Sequence, residues 1–441
     1  MQETFKPFKS ASVVGLGISG AASAGLLKRE GFEVTGMDEH KPLSEICGCD
    51  ARLDILDEKT LLASNLIVLS PGIDPERPEI RKAREAGIPV LGEMALALHY
   101  VDVPMVAVTG TNGKSTVTEL IAFMLEVSGQ KVFSGGNLGT PLSILALEPA
   151  NYDVAVLEVS SFQLDTLGDF RPEVAVLLNI TEDHLDRYAG MEAYSGSKAR
   201  IFKDMRAGVA VLNYADPRVR AIGKKLSIPV LWYDGGERGV IITEEALYFD
   251  GGAEITLEDF ALPGRHNLEN LAAAILAARA MDVSWEAIRR AIRDFKGLSH
   301  RMTLCGTVDG IACFNDSKAT NMDAVRRALS SFDQKVVLIM GGRDKGGDYR
   351  LMRESVQRYA KKIILIGEAA DLIEKAFCDL VCCERAETLE AAVKKALAAA
   401  DPATPVVLSP ACSSFDMFSD YKDRGNQFCK IVNELGRKGR A

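Results

Sequence analysis

Short apolar runs, many of them rich in β-branched residues, recur along the chain, and most end in a Gly-rich or polar turn. Ser12–Leu16 and Phe32–Met37 read as strands flanking a helix that runs to about Arg29, and Leu66–Leu69 and Val90–Leu91 continue the alternation. Val103–Val108 reads as a buried strand. After it, Val117, Leu120, Ile121, Met124 and Val127 recur at helical spacing. Asp153–Val159, Val174–Ile180 and Ala207–Asn213 are further strands. Between residues 225 and 262 the texture changes. The runs Val240–Ile242, Ala246–Phe249 and Ile255–Leu257 are short and alternating, which predicts a small antiparallel sheet. Arg265-His266-Asn267 caps a long Ala-rich helix, Leu268–Ala280, and Gly297–Arg301 reads as a hinge. Beyond it, Val336–Met340, Ile363–Ile366 and Val406–Leu408 are strands that end in polar or Gly-rich loops.

This alternation predicts an α/β fold of three domains with mainly parallel sheets. A Rossmann-like domain covers residues 1–93. A central domain over 94–298 combines a P-loop ATPase-like parallel sheet with the small antiparallel one. A second Rossmann-like domain covers 299–441. Ligands are expected at the carboxyl ends of the strands. A length of 441 residues suits two to four domains, and 47% hydrophobic with 26% charged residues is ordinary globular composition. Net charge is −9, so no basic field draws the chain to nucleic acid or an anionic membrane. Lys9 precedes an apolar run to Leu27, but Gly15, Gly17 and Gly20 interrupt it, so it reads as folded structure and not as a signal peptide. The nine cysteines, Cys47, Cys49, Cys382 and Cys383 among them, form no CxxC pair, and free thiols in a reducing cytoplasm are expected.

Gly110-Thr111-Asn112-Gly113-Lys114-Ser115-Thr116 joins a strand to a helix and ends in Lys-Ser-Thr, the build of a phosphate-binding loop. Backbone N–H groups and the helix N-terminus face a polyphosphate, the lysine reaches its outer oxygens, and a hydroxyl takes Mg²⁺. Val108 stands where the usual pattern has its first glycine. Glu158 and His184 both follow strand ends in the same region. A loop carboxylate is ordinarily solvated and a loop histidine is ordinarily a polar surface group, but their shared placement beside the phosphate loop favours a metal or phosphate role. Lys198 by its spacing reads as a surface lysine. Gly15-x-Gly17-x-x-Gly20, with Asp38 18 positions beyond Gly20, is a Rossmann-type fingerprint. Gly17, Ile18 and Ser19, with Ser70, Pro71 and Gly72, offer backbone N–H groups to a pyrophosphate. Asn315–Asn321 is dense in polar groups; Ser317 or Thr320 could cap a helix there, but Asp316 and Lys318 exceed what a cap needs. Gly341–Gly347 and Ser409–Ser414 are two further strand-end loops, and Lys345 could pair with an anionic group.

Taken in order, GTNGKST, EVSSFQL at 158–164, NITEDHLDRY at 179–188, GRHNLEN at 264–270, NDSKATN at 315–321 and SPACSSFD at 409–416 resemble the Mur ligases, the ATP-dependent amide ligases of peptidoglycan precursor synthesis. GLGISG at 15–20 and SPG at 70–72 resemble the branch that joins D-glutamate to UDP-N-acetylmuramoyl-L-alanine. The resemblance implies ATP, two Mg²⁺ ions and a carbamylated lysine as cofactors. It assigns Lys114 to the ATP phosphates, and Ser115, Glu158, His184 and Lys198, as its carbamate, to the metals. Asn267, Asn270, Arg301 and Asp316 match ATP contacts, and Asn137 and Ser160 match contacts to the uridine-linked substrate. Lys318 and Lys345 match lysines near the reacting carboxylate and the incoming amino acid. Thr320, Ser414 and Tyr421 would line the amino-acid site, Tyr421 standing where the family has Phe. A cytoplasmic monomer with no nucleic-acid or membrane partner is implied. The rivals are a folylpolyglutamate-type or sister amide ligase, an NAD-dependent dehydrogenase using Gly15–Asp38, and a nucleotide-dependent binding switch.

Overall fold

The apolar runs become the strands of three sheets. The computed structural model describes residues 8–38, 50–53, 56–137, 139–185, 187–235, 239–243, 245–256, 260, 262 and 264–438. Ser10–Val14 (β1), Glu33–Asp38 (β2), Asp50–Leu53 (β3), Leu66–Leu69 (β4) and Val90–Gly92 (β5) form the first sheet, parallel throughout and ordered β3-β2-β1-β4-β5. Val13, Val14, Ile67 and Val68 are all buried, which is why β1 and β4 read as continuous apolar runs. Strand order reverses between β1 and β4, and the loops that follow them meet there: Ser70 Oγ donates to the Gly15 carbonyl at 2.7 Å.

The second sheet comprises Met105–Thr109 (β6), Val132–Gly136 (β7), Val154–Glu158 (β8), Val174–Leu177 (β9), Val209–Asn213 (β10), Val230–Tyr233 (β11), Gly239–Ile242 (β12), Ala246–Tyr248 (β13) and Glu254–Thr256 (β14). Its order, β14-β13-β12-β11-β10-β9-β6-β8-β7, turns around β6. The loop 110–113 therefore leaves from a switch point. β12, β13 and β14 pair antiparallel but continue the parallel sheet through β11, so the alternating runs extend it. Leu257 lies outside the described residues, as do Cys47 and Cys49.

Thr303–Val308 (β15), Ile311–Asn315 (β16), Val336–Gly341 (β17), Ala360–Ile366 (β18), Cys382–Arg385 (β19) and Val406–Leu408 (β20) form the third sheet, ordered β15-β16-β20-β17-β18-β19. β15 and β16 pair antiparallel and the other neighbours are parallel. Side chains alternate across β17: Val336, Leu338 and Met340 enter one core cluster, and Val337 and Ile339 the other.

Several local expectations are corrected. The helix Arg265–Ala280 begins at Arg265, so Arg265, His266 and Asn267 form its first turn. Asn321, and neither Ser317 nor Thr320, caps the helix Met322–Leu329, its side chain accepting from Ala324 N. Cys305 on β15 and Cys429 on the helix Tyr421–Lys438 form a disulfide, with Cα atoms 5.1 Å apart, so these two are not free thiols. The antiparallel hairpin and the helix lying on it bring together positions that are 124 residues apart in sequence. Among the described residues no helix is long and apolar enough to cross a membrane. By its internal contacts the chain forms two compact bodies. One gathers residues up to Asn179 with Ser195–Thr256 and Asn270–Asp294; the other gathers Ile180–Tyr194, 257–269 and the chain from Phe295 onward.

Candidate active site

In the first body, β6 ends at Thr109 and the backbone turns through Gly110 (φ 151°) and Gly113 (φ 87°) into the helix Lys114–Val127. A Cβ at residue 113 would run into Asn270 Oδ1, so the turn needs glycine for conformation and for space. Asn179 braces the loop. Its Oδ1 accepts from Asn112 N at 2.8 Å, its Nδ2 donates to the Asn112 carbonyl at 3.0 Å, and its own carbonyl accepts from Thr111 N at 2.9 Å. A rigid loop opening a helix N-terminus suits a polyphosphate. Lys114 Nζ donates to the carbonyls of Gly110 and Thr111 at 2.9 and 2.8 Å. Lys198, which spacing alone assigns to the surface, is 1% exposed, and its Nζ donates to the Gly110 carbonyl at 2.8 Å. The helix Met191–Ala199 carries it inward.

Glu158, the last residue of β8, is 1% exposed and not a solvated loop carboxylate. Its Oε2 accepts from Ser115 Oγ at 2.5 Å and its Oε1 from Asn137 Nδ2 at 2.6 Å. A hydroxyl and a carboxylate beside a phosphate loop form a hard-oxygen donor set, which fits Mg²⁺. Ser160 caps the helix Ser161–Thr166 in a capping box with Gln163. At the first sheet's switch point, Asp38 Oδ2 accepts from Leu16 N at 2.5 Å and so fixes the loop after β1. Nothing lies where a Cβ at Gly17 would be, and Ile18 is 62% exposed, so the loop faces open space between Gly15 and Ser19. Ser70, Pro71 and Gly72 follow β4 beside it.

In the second body, Asp183 is a hub that sequence reading passed over. Its Oδ2 accepts from Asn321 Nδ2 at 3.1 Å and lies 3.6 Å from His184 Nε2, and its Oδ1 pairs with Lys345 Nζ at 3.2 Å. Glu182, Asp183, Thr320, Asn321, Lys345 and Tyr349 line a cavity there, with Leu185, Met322 and Ala411 forming part of its wall. His184 groups with this body and not with the one that holds Lys114. Asp316 is buried and accepts from Ser409 Oγ at 2.7 Å; burial pushes its carboxyl up to about 7, against the pull of Arg301. Arg301 Nε is buried without a hydrogen-bond partner, a donor suited to an anionic oxygen. Lys318 Nζ stands 5.1 Å from the centre of the Tyr421 ring, and Ser414 is buried at the end of its loop. Asn267 lies in the first turn of its helix, while Asn270 falls in the first body beside Gly113.

Arg424 was also missed, because a charged residue in a helix reads as solvated. It is fully buried, and donates to Ser317 Oγ and the Ser317 carbonyl at 2.9 Å and to the Cys412 carbonyl at 3.2 Å, tying two site loops to the last helix.

Three family models match successive stretches of the chain: the Mur ligase MurD-like N-terminal domain over residues 9–92, the Mur ligase middle domain over 108–278, and the Mur ligase glutamate ligase domain over 300–412. The UDP-N-acetylmuramoylalanine–D-glutamate ligase of Desulfosudis oleivorans is 44% identical over 439 residues, 96% of each chain. The protein of the same name from Desulfatibacillum aliphaticivorans is 43% identical over 443 residues, covering 97% of this chain and 98% of its own. Among solved structures, the UDP-N-acetylmuramate–alanine ligase of Thermotoga maritima superposes with a TM-score of 0.63 at 18% identity, covering 97% of this chain and 99% of its own, a likeness of fold.

Proposed function

The chain belongs to the Mur ligase family, and we propose that it joins D-glutamate to UDP-N-acetylmuramoyl-L-alanine, converting ATP to ADP and phosphate in peptidoglycan precursor synthesis. The observation that carries this reading is the near full-length likeness to ligases of that name. The phosphate loop and its Ser115–Glu158 pair support the ATP half of it.

A carboxylate does not acylate an amine in water at neutral pH, because its leaving group is poor. In this reading the alanyl carboxylate attacks the γ-phosphorus and ADP leaves. The acyl phosphate is then attacked by the amine of D-glutamate, which loses a proton as inorganic phosphate departs. Residues 1–93 bind the uridine nucleotide through Gly17–Ser19, Asp38 and Ser70–Gly72, with Asn137 and Ser160 from the central domain. Residues 94–298 hold ATP on Gly110–Thr116. Residues 299–441 present Lys318, Thr320, Lys345, Ser414 and Tyr421 to the amino acid. Asn267, Asn270, Arg301 and Asp316 orient the nucleotide. Lys114 neutralises phosphate charge as it develops. Ser115, Glu158, His184 and a carbamate on Lys198 would hold two Mg²⁺ ions, which would supply charge neutralisation between carboxylate and triphosphate. Closure about 297–301 excludes the water that would hydrolyse the acyl phosphate. The protein works as a cytoplasmic monomer.

Phosphate release with UDP-N-acetylmuramoyl-L-alanine and a panel of amino acids tests the proposal. Release that depends on D-glutamate is expected. Release dependent on another amino acid, or on none, overturns it.

A further inference from the structure

An ion-pair bridge in the second body has no part in the chemistry above. Asp323, in the first turn of the helix Met322–Leu329, has a side chain 7% exposed, and Arg327 one turn on donates from Nε to its Oδ2 at 2.9 Å. That i,i+4 pair orients the guanidinium, and Nη1 of the same Arg327 donates to Glu269 Oε2 at 3.2 Å. Arg326 completes the pairing of Asp323 at 2.6 Å, and Arg265 lies 4.0 Å from the other oxygen of Glu269. One planar fork thus holds carboxylates on two elements, a task that a lysine point charge performs poorly. Glu269 closes the first turn of the helix Arg265–Ala280, the turn that carries Asn267. The imidazole of His266, in the same turn, feels Arg327, Arg301 and Asp323 and is pushed down to about 4, chiefly by burial, so it adds no competing charge near neutral pH.

We propose that Arg327 is a positioning residue for the nucleotide: by bridging Asp323 and Glu269 it fixes the turn that presents Asn267 within the same body as Arg301 and Asp316. The inference rests on the ATP reading of those three residues. An ordinary packing ion pair would contribute stability only. A positioning role moves nucleotide affinity selectively, because the turn carries no residue of the amino-acid site.

The experiment measures Mg·ADP binding by calorimetry, together with KM for ATP and for D-glutamate, on the full chain carrying Arg327→Met, Arg327→Lys or Glu269→Gln. Arg327→Met is expected to weaken ADP binding and raise KM for ATP by about tenfold, with KM for D-glutamate within about twofold of the parent. Arg327→Lys should restore less than half of that loss on the logarithmic scale. Should Arg327→Met fail to fold, Glu269→Gln, which removes the charge from one arm of the bridge, is expected to show a loss of about threefold with the same selectivity. ADP affinity unchanged in a folded variant, or equal losses for ATP and D-glutamate, overturns the proposal while leaving the ligase reading intact. A parent protein that binds no ADP overturns both.

Discussion

Lys114 and Lys198 donate to one and the same acceptor, the carbonyl of Gly110, at 2.9 and 2.8 Å. Two ammonium groups on one oxygen repel each other, and Lys114 is followed directly by Ser115 of the hard-oxygen pair proposed for Mg²⁺. Addition of CO₂ to the neutral amine of Lys198, with release of a proton, replaces one cation with an anionic oxygen ligand. Lys198→Ala is therefore expected to be inactive and partly rescued by short carboxylates such as acetate, and activity should rise with added bicarbonate. Full activity of the unrescued variant refutes the role, and inactivity without rescue leaves a structural lysine.

Lys114→Ala should lose about 10²–10³-fold in kcat, the scale seen when one donor to a charged transition state is removed. Lys114 is only half-buried, so circular dichroism should be unchanged. Near-parental turnover in a folded variant would sink the phosphate-loop assignment.

The first domain should take UDP and not a dinucleotide. Asp38 accepts from Leu16 N and so fixes the loop after β1, where Gly17–Ser19 and Ser70–Gly72 offer backbone N–H groups to a pyrophosphate. Crystals soaked in parallel with UDP and NAD decide the point. Ordered NAD beyond β1 and β4, with UDP absent, reverses the assignment.

Asp316 gives a pH signature. Its folded carboxyl titrates at about 7, against roughly 3.9 in an unfolded chain. Between those values the folded state binds the extra proton, so this group's contribution to stability falls as pH rises from about 4 to about 7 and is flat outside that window. Asp316→Asn should unfold at a higher temperature than the parent at pH 8 and at a similar one at pH 4, while nucleotide-dependent activity drops at both. A melting difference independent of pH would contradict the assignment.

Thiol labelling under non-reducing conditions should modify the exposed Cys378 and Cys382 and spare Cys305 and Cys429. Reduction opens a loop of 124 residues, which chain entropy values at up to about 5 kcal/mol, so a reductant should lower the melting temperature of the parent but not of Cys305→Ser. Equal shifts in both proteins would show that the pair does not contribute.

What could be read in the sequence follows from how locally each feature is determined. Leu66–Leu69 and Val406–Leu408 are strands buried on both faces, and an uninterrupted apolar run announces such a strand without any partner. The phosphate loop was legible for the same reason, since its glycines and its Lys-Ser-Thr serve the backbone of one turn. Lys198 was not, because its burial is decided by the carbonyl of Gly110, 88 residues away. Asp183 lay inside a quoted motif, but its pairing with Lys345 needs the folded third sheet. Arg265-His266-Asn267 read as a cap because polar residues before an Ala-rich run look like one, whereas the ion pairs of Glu269 and Arg327 draw that turn into the helix. The residues proposed for the site divide similarly: those in contiguous motifs were found, and those that act by bridging loops were not.

Arg424 bears on any attempt to transplant specificity. Its guanidinium engages the loops after β16 and β20 at once, through Ser317 and Cys412. A graft that exchanges one of these loops for that of a sister enzyme leaves a buried cation facing carbonyls in altered positions, and a misfit of that kind is costly. The exchangeable unit at this end of the molecule is therefore both loops together with the helix Tyr421–Lys438, and chimaeras drawn at loop boundaries should be insoluble where chimaeras that include this helix are not.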